Sequence, residues 1–264
     1  KNNFSDVKEC FKKNKEMFLN LSDFSSFQIN WKEKYLNANK IAQDLNIGND
    51  AIVFLDDSEF EREQMRKFNP SINTIDFPKD PKDLIKTIEN SLFFYQNKET
   101  SEDKKKKSQY EMMRKVNQAK VKANSLDQFL SNLSMKLDIY KISKLNFDRS
   151  VQLTNKTNQF NLTTKRFTSA KMQSYINSKD QLSLIANLKD KYGDNGLTAL
   201  VMCKKKSSTT WVIDNFLLSC RIFGRGVENI LLFELLKKLK EKKVKQVEGR
   251  YIKSNKNSMC KNFY

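Results

Sequence analysis

The stretch AIVFLDDSEFEREQMR, residues 51–66, decides the fold. Its first five residues are an apolar run rich in strand formers, the length of one buried parallel strand. The run stops at Asp56 and Asp57, and Ser58 with Glu59 then opens an amphipathic helical segment. In open α/β sheets, ligands bind beyond the carboxyl ends of the strands. Two adjacent carboxylates there repel each other unless a cation lies between them, and an oxygen-liganded ion such as Mg²⁺ is the usual one. A solvated Asp-Asp turn capping a helix fits the same residues, so both readings stand at this point.

The flanking segments extend the pattern in both directions. Residues 34–46 predict a helix with Tyr35, Ala38, Ala42 and Leu45 on one side, and Gly48 follows as a stop. A helix over 59–67, a strand over 72–77, a turn bracketed by Pro78 and Pro81 and a helix over 83–91 come next. Upstream, Phe4, Val7 and Phe11 mark a helix over 4–13, while 18–31 reads as loop and short structure. Strands and helices alternating at these lengths argue for a parallel sheet, and so for an α/β class. Lys34 precedes Asp56 by 22 positions. A lysine there is either solvated or turned into the site, where it neutralises a phosphate or holds a carboxylate.

Composition removes several function classes. The 264 residues contain no histidine, so neither a His-based triad nor a His-ligated zinc site can form. Cys10, Cys203, Cys220 and Cys260 lie far apart with no C-x-x-C pair, which suits a reducing compartment rather than a disulfide framework. No apolar run reaches the ~18 residues of a membrane span, and no signal-like start is present, so a cytoplasmic location is expected. Lys and Arg total 49 against 31 Asp and Glu, a net charge of +18, which raises nucleic acid as a partner. The excess is diffuse and the lysine runs have little aromatic interleaving, which ranks nucleic acid last. The first residue is Lys1, and the chain reads as a fragment.

The second half opens with a lysine-rich stretch. Lys104 to Lys122 holds eight basic residues and one acid, with Tyr110, Met113 and Val116 at helical spacing, as in a solvated connecting helix. Ser125 and Gln128 form a capping-box pattern, and 135–140 alternates in strand fashion. Residues 149–167, RSVQLTNKTNQFNLTTKRF, are crowded with amides and hydroxyls. Such a stretch is either an internally satisfied polar network or a ligand-facing loop. Strands are predicted over 182–188, 196–203, 209–217 and 244–251. Between the third and a long amphipathic helix lies Arg221-x-x-Gly224-x-Gly226, whose glycines let backbone amides approach a pyrophosphate at a helix N-terminus. The six lysines of 237–245 suit the solvated, C-terminal end of that helix. Cys220 precedes the loop. Arg221, Arg225 and the helix dipole there are expected to lower its thiol pKa, which makes it a candidate acyl-carrying nucleophile beside the plainer reading of a small core residue.

Three strings carry a family resemblance across nearly the whole chain. W-x-x-K (Trp31, Lys34) followed by Asn37 to Gly48 and FLDDSEFEREQMR resembles the second half of a HAD-superfamily phosphatase-like domain. NKTNQFNLTTKRF is similar to the signature of FkbH-type proteins, and R-x-x-G-x-G resembles the coenzyme A loop of GNAT acetyltransferases. The resemblance implies a partial HAD-like parallel-sheet domain over 1–97, a linker helix over 98–124 and a GNAT-like α+β domain over 125–264 that lacks its last strands. It implies Lys34, Asp56 and Asp57 as HAD-site residues with Mg²⁺ on the acids, and Arg221, Gly224 and Gly226 as contacts to coenzyme A or phosphopantetheine. It places Lys1-Asn2 at the tail of a Ser-Lys-Asn motif, the nucleophilic Asp-x-Asp upstream of Lys1, and a helix over 251–264. The implied activity is removal of phosphate from 1,3-bisphosphoglycerate and loading of the glyceryl group on an acyl carrier protein. A GNAT-like acyltransferase or carrier-binding module without HAD activity is the alternative.

Overall fold

A computed structural model describes residues 1–95 and 106–264, which form two compact units, Lys1–Arg114 and Lys115–Tyr264. The expected boundary at 97/98 and Lys104 and Lys105 of the lysine run lie outside the described residues. The architecture is mixed α/β, with a parallel strand pair in the first unit and a six-stranded sheet in the second.

The first unit runs α1 (Phe4–Lys13), α2 (Lys34–Leu45), β1 (Val53–Phe54), α3 (Glu59–Phe68), β2 (Asn73–Thr74) and α4 (Leu84–Asn90). β1 and β2 are parallel, Val53 opposite Asn73 and Phe54 opposite Thr74. Both strands are shorter than their apolar runs, because Asn49–Ala51 is already committed to a 3₁₀ turn and only two rungs pair. Ala38 of α2, Met65 of α3 and Ile72 form the buried core, with Tyr35, Ile52 and Phe54 against them. The helix stop differs from expectation. Asn46, not Gly48, takes the left-handed conformation (φ 52°) that ends α2, and its amide reaches back to Ala42 and Gln43. Asparagine is among the few residues besides glycine that tolerate this region. Ser58 caps α3 by accepting from the Glu61 amide, as its position in the sequence suggests.

The second unit takes in the end of helix α5 (Lys106–Lys122), then α6 (Leu126–Asn132), β3 (Lys136–Lys141), α7 (Phe147–Lys156), β4 (Phe160–Asn161), α8 (Ser169–Asn177), β5 (Gln181–Asp190), β6 (Gly193–Lys205), β7 (Thr210–Leu218), α9 (Val227–Glu241) and β8 (Gln246–Glu248). The connecting helix is not solvated all round, since Val116 packs against Phe129 and Leu133 of the α6 segment. The sheet order is β3-β5-β6-β7-β4, all antiparallel neighbours, with β8 parallel to β7.

β6 and β7 are buried on both faces, which explains their unbroken apolar runs. One face is covered by α9, whose Val227, Leu231, Leu235 and Leu239 recur every fourth residue and meet Leu184, Val201 and Ile213. Leu153 of α7 and Met172 and Tyr175 of α8 cover the other face over Ile185, Leu200 and Met202. β7 shares one edge between two segments: β8 pairs with Thr210–Val212, and β4 pairs with Leu217 and Leu218. The helix expected over 251–264 is absent. Only the 3₁₀ turn Ser258–Cys260 forms there, because the segment is recruited to the sheet edge. The Ile252 amide donates to the Leu162 carbonyl at 2.7 Å, buried Asn257 donates to the Asn161 carbonyl at 2.9 Å, and Phe263 packs edge-on against Phe160 and tilted against Phe216. Among the described residues no helix is long and apolar enough to cross a membrane.

Candidate functional site

In the first unit, the structure brings Lys34 and Asp56 together across their 22-residue separation. Lys34 opens α2, Asp56 follows β1 at its carboxyl end, and Lys34 Nζ lies 2.6 Å from Asp56 Oδ2. The Asp56 carboxylate is nearly buried, and its other oxygen accepts from the Ser58 amide at 3.1 Å. Arg62, one turn into α3, donates to the Asp56 and Asp57 carbonyls at 2.8 and 2.9 Å and so fixes the turn that carries both acids. The Asp57 residue is exposed. The cation that two adjacent carboxylates call for is therefore supplied, at Asp56, by Lys34.

This donor set fits the edge of a Mg²⁺ site rather than a whole one. Mg²⁺ is commonly held by one or two carboxylates, with waters and substrate phosphates completing its shell. Asp56 and Asp57 offer no more than that minimum, and both Asp56 oxygens already have partners in Lys34 and the Ser58 amide. Among the described residues no cluster of three or more acidic or cysteine side chains is placed to enclose a metal. A neighbouring pair was not visible in the sequence: Lys1 Nζ bridges Glu33 at 2.8 Å and Glu61 at 3.3 Å. These bonds, led by the one to Glu33, raise the Lys1 pKa.

In the second unit, Cys220, Arg221, Gly224 and Gly226 occupy one loop between β7 and α9, as expected. Gly224 (φ 70°) and Gly226 (φ 72°) are both left-handed, and Gly226 is the N-cap of α9, whose first amides have no partner within the helix. Lys120 of α5 reaches this loop. Its Nζ lies 4.0 Å from where a Cβ on Gly224 would stand. The loop is clamped from an unexpected direction. Arg225 and Asp190, at the end of β5, form an ion pair at 2.6 Å with side chains 2% and 0% exposed. Asp190 also accepts from Asn195 and the Tyr192 amide, and Arg225 donates to the Arg221 carbonyl at 3.1 Å. Burial lowers the Arg225 pKa and Asp190 opposes that shift.

The charge of Arg225 is thus spent on Asp190, which corrects the expectation for Cys220. Burial raises the Cys220 thiol above its ordinary value, and Arg221 only partly offsets it. The geometry does not give the depressed thiol that a resting thiolate nucleophile requires.

The polar stretch 149–167 turns out to be an internal network. Arg166 caps the C-terminus of α7, donating to the carbonyls of Thr154, Asn155 and Thr157 at 2.7, 2.6 and 3.2 Å. Asn161 donates to the Thr157 carbonyl and accepts from the Thr164 amide, while Thr163 donates to the Asp214 carbonyl at 2.9 Å. Beneath this sits a centre that sequence reasoning missed. Buried Asp214 of β7 accepts from Tyr175 Oη at 2.6 Å, pairs with Lys165 and lies 3.4 Å from Lys204 Nζ. Burial alone would raise the Asp214 carboxyl, but the bonds from Lys165 and Tyr175 outweigh it and hold it below its ordinary value. The neighbouring Cys203 thiol is pushed up to about 12, chiefly by burial. One signal for this centre existed, a lone acid inside the apolar run TWVIDNFLL, which demands partners.

No protein-family model and no curated protein matches the chain. Among solved structures it is similar to the N-terminal part of a Bacteroides fragilis protein containing a phosphatase domain complexed with Mg. Identity there is 38%, over 38% of this chain and 26% of that one, with a TM-score of 0.36. The chain thus spans about a quarter of that relative. It is also similar to an aminoglycoside acetyltransferase, AAC(6')-Iy, in complex with a bisubstrate CoA analogue (14% identity, 48% of this chain, 86% of that chain, TM-score 0.38). A third is the ribosomal-protein-alanine N-acetyltransferase of Brucella melitensis (13% identity, 45% of this chain, 82% of that chain, TM-score 0.36).

Proposed function

We propose that this chain is part of a two-unit enzyme that couples phosphate removal to acyl transfer. The first unit contributes to a HAD-type phosphate site, and the second is a GNAT-like acyl-handling unit. One observation carries the reading: a half-buried lysine–aspartate pair, Lys34 with Asp56, stands at the carboxyl end of a parallel strand. An ammonium held by a carboxylate is positioned to neutralise a phosphate oxygen, while Asp57 remains at the surface beside it. Mg²⁺, if held by Asp56 and Asp57, would supply further charge neutralisation for a phosphoryl group. The reading requires an Asp-x-Asp segment upstream of Lys1 to act as nucleophile.

The finer form follows the FkbH-type signature of residues 155–167. The substrate is then 1,3-bisphosphoglycerate. Its ester phosphate passes to the aspartate nucleophile and then to water, its acyl phosphate keeps the acyl carbon activated, and the acceptor is the thiol of an acyl carrier protein. Attack of a thiolate sulfur on the acyl carbon forms the thioester and releases phosphate. Basic surface on the chain favours an acidic carrier. The raised thiol of Cys220 makes direct transfer to the carrier the better route than a relay through this cysteine.

Divalent-metal titration of the intact protein and of its Asp56→Asn variant tests the first unit, with weaker binding expected in the variant. Equal binding overturns the metal assignment. Intact-mass analysis of Cys220→Ala after incubation with substrate tests the second. Loading of the carrier by the variant supports direct transfer, and its loss restores the relay. A GNAT-type module working alone remains the rival because of the glycine loop. It predicts saturable coenzyme A binding in calorimetry, which glyceryl loading does not need.

A further inference from the structure

A second basic feature of Lys115–Tyr264 plays no part in the proposed function. The last turns of α5, the α6 segment and the β5–β6 turn enclose a pocket of about 340 Å³, near the lower end of small-ligand sites. Its floor includes Phe129 and Leu133, both buried. Its polar wall carries three ammonium groups, Lys115 and Lys122 from α5 and Lys191 from the turn, with carboxamides such as Gln118 between them. No acidic side chain lines it. Among the described residues none of these three lysines forms an ion pair. By contrast, Lys1, Lys34, Lys165 and Lys206 each do. The turn bearing Lys191 is not a loose loop. The adjacent Asp190 is locked to Arg225, the Lys191 amide donates to the Leu133 carbonyl at 2.9 Å, and Lys191 Nζ stands 5.2 Å from the centroid of the Tyr192 ring.

Three exposed lysines with no acid among the lining residues give the pocket a net positive rim over an apolar floor, and a multiply charged anion is the ligand such a rim favours. Lysine binds phosphate as a point charge, and a wall of ammonium and amide donors matches its several acceptor oxygens. We infer that this pocket is a binding site for a small phosphate ester or diphosphate, distinct from the Lys34–Asp56 pair and independent of the phosphatase reading.

Inorganic pyrophosphate, titrated calorimetrically into the full chain at low ionic strength, is the probe. The pocket variant Lys122→Gln/Lys191→Gln is compared with Lys237→Gln/Lys240→Gln, which removes the same charge from α9. A saturable isotherm weakened about tenfold or more in the pocket variant only is the expected result, since each ammonium lost removes a charge-assisted contact. In a Lys34→Met background, which removes the phosphate-neutralising ammonium of the first unit, the pocket variant should still weaken the remaining isotherm by the same factor. Equal weakening in the pocket and α9 variants assigns the binding to the diffuse charge of +18 and overturns the proposal. Wild-type affinity in the pocket variant overturns it as well. All four substituted lysines outside the phosphatase site are exposed, and circular dichroism of each variant is the check that it folds.

Discussion

Replacing Asp190 by asparagine tests whether the glycine loop is held by a truly desolvated charge pair. The substitution keeps the side chain's shape and its carbonyl, which still accepts from Asn195 or the Tyr192 amide, but removes the charge facing Arg225. The guanidinium, 2% exposed, then faces no carboxylate, and among the described residues the Arg221 carbonyl at 3.1 Å is the acceptor outside position 190. Breaking a buried pair from one side costs about 3–5 kcal/mol, because the surviving charge stays buried without compensation. That is a large share of the ~5–15 kcal/mol by which a domain is stable. Urea denaturation read by Trp211 of β7, in a Trp31→Phe background, isolates the second unit's transition. Arg225→Met in the Asp190→Asn background should recover most of the loss, since no charge is then stranded and the asparagine carbonyl still accepts from Asn195 or the Tyr192 amide. A loss below about 1 kcal/mol for Asp190→Asn would put the pair in the class of hydrated surface bridges, and the argument that it clamps the loop would fail.

Three further outcomes follow from the geometry. Gly226→Ala should cost about 1–2 kcal/mol in the same urea assay, the penalty of left-handed backbone for an L-residue. Nothing lies within 4 Å of the added Cβ, so a larger loss would mean that the loop is packed differently. The Asp214 carboxyl is depressed in the folded state, so its contribution is complete above its unfolded value of about 3.9 and fades as pH falls through the lower folded value. Asp214→Asn should flatten stability against pH in that acidic window, and an unchanged acid limb would refute the assignment. Ser58→Ala removes the oxygen that accepts from the Glu61 amide and should cost about 1 kcal/mol. Thermal unfolding of the first unit measures it, and no change in Tm would remove Ser58 as the cap.

Local chemistry made much of this fold legible. Apolar spacing located α2, α3 and α9, and the Asp56–Asp57 break after an apolar run marked the end of β1. The residues alone left Lys34 either solvated or turned into the site, and it was the family resemblance that put it in one site with Asp56. What stayed hidden was long-range. Asp190 gives no sign in sequence that it meets Arg225, 35 positions later, because a turn aspartate is ordinary wherever it ends. The polar signature of 155–167 suggested a ligand as readily as a network. Only the placement of α7's open carbonyls and of Asp214 shows where those amides and hydroxyls are used. The segment 251–264 misled for the same reason. The resemblance implied a helix there, but the segment's conformation is set by its contacts with β4 and β7.

The edge of β7 shared by two segments bears on the order in which this unit can be completed during synthesis. Asn161 and Leu162 are made early, yet the groups that close over them, Asn257 and the Ile252 amide, come 96 and 90 residues later. Until those residues leave the ribosome, β4 has a partner on only one side and the apolar strand β7 has neither β8 nor a finished flank. A strand edge left open while translation continues is a template for pairing with another chain. The nascent polypeptide therefore passes through a window in which this edge is open to pairing with another chain, and the last residues synthesised are the ones that close it.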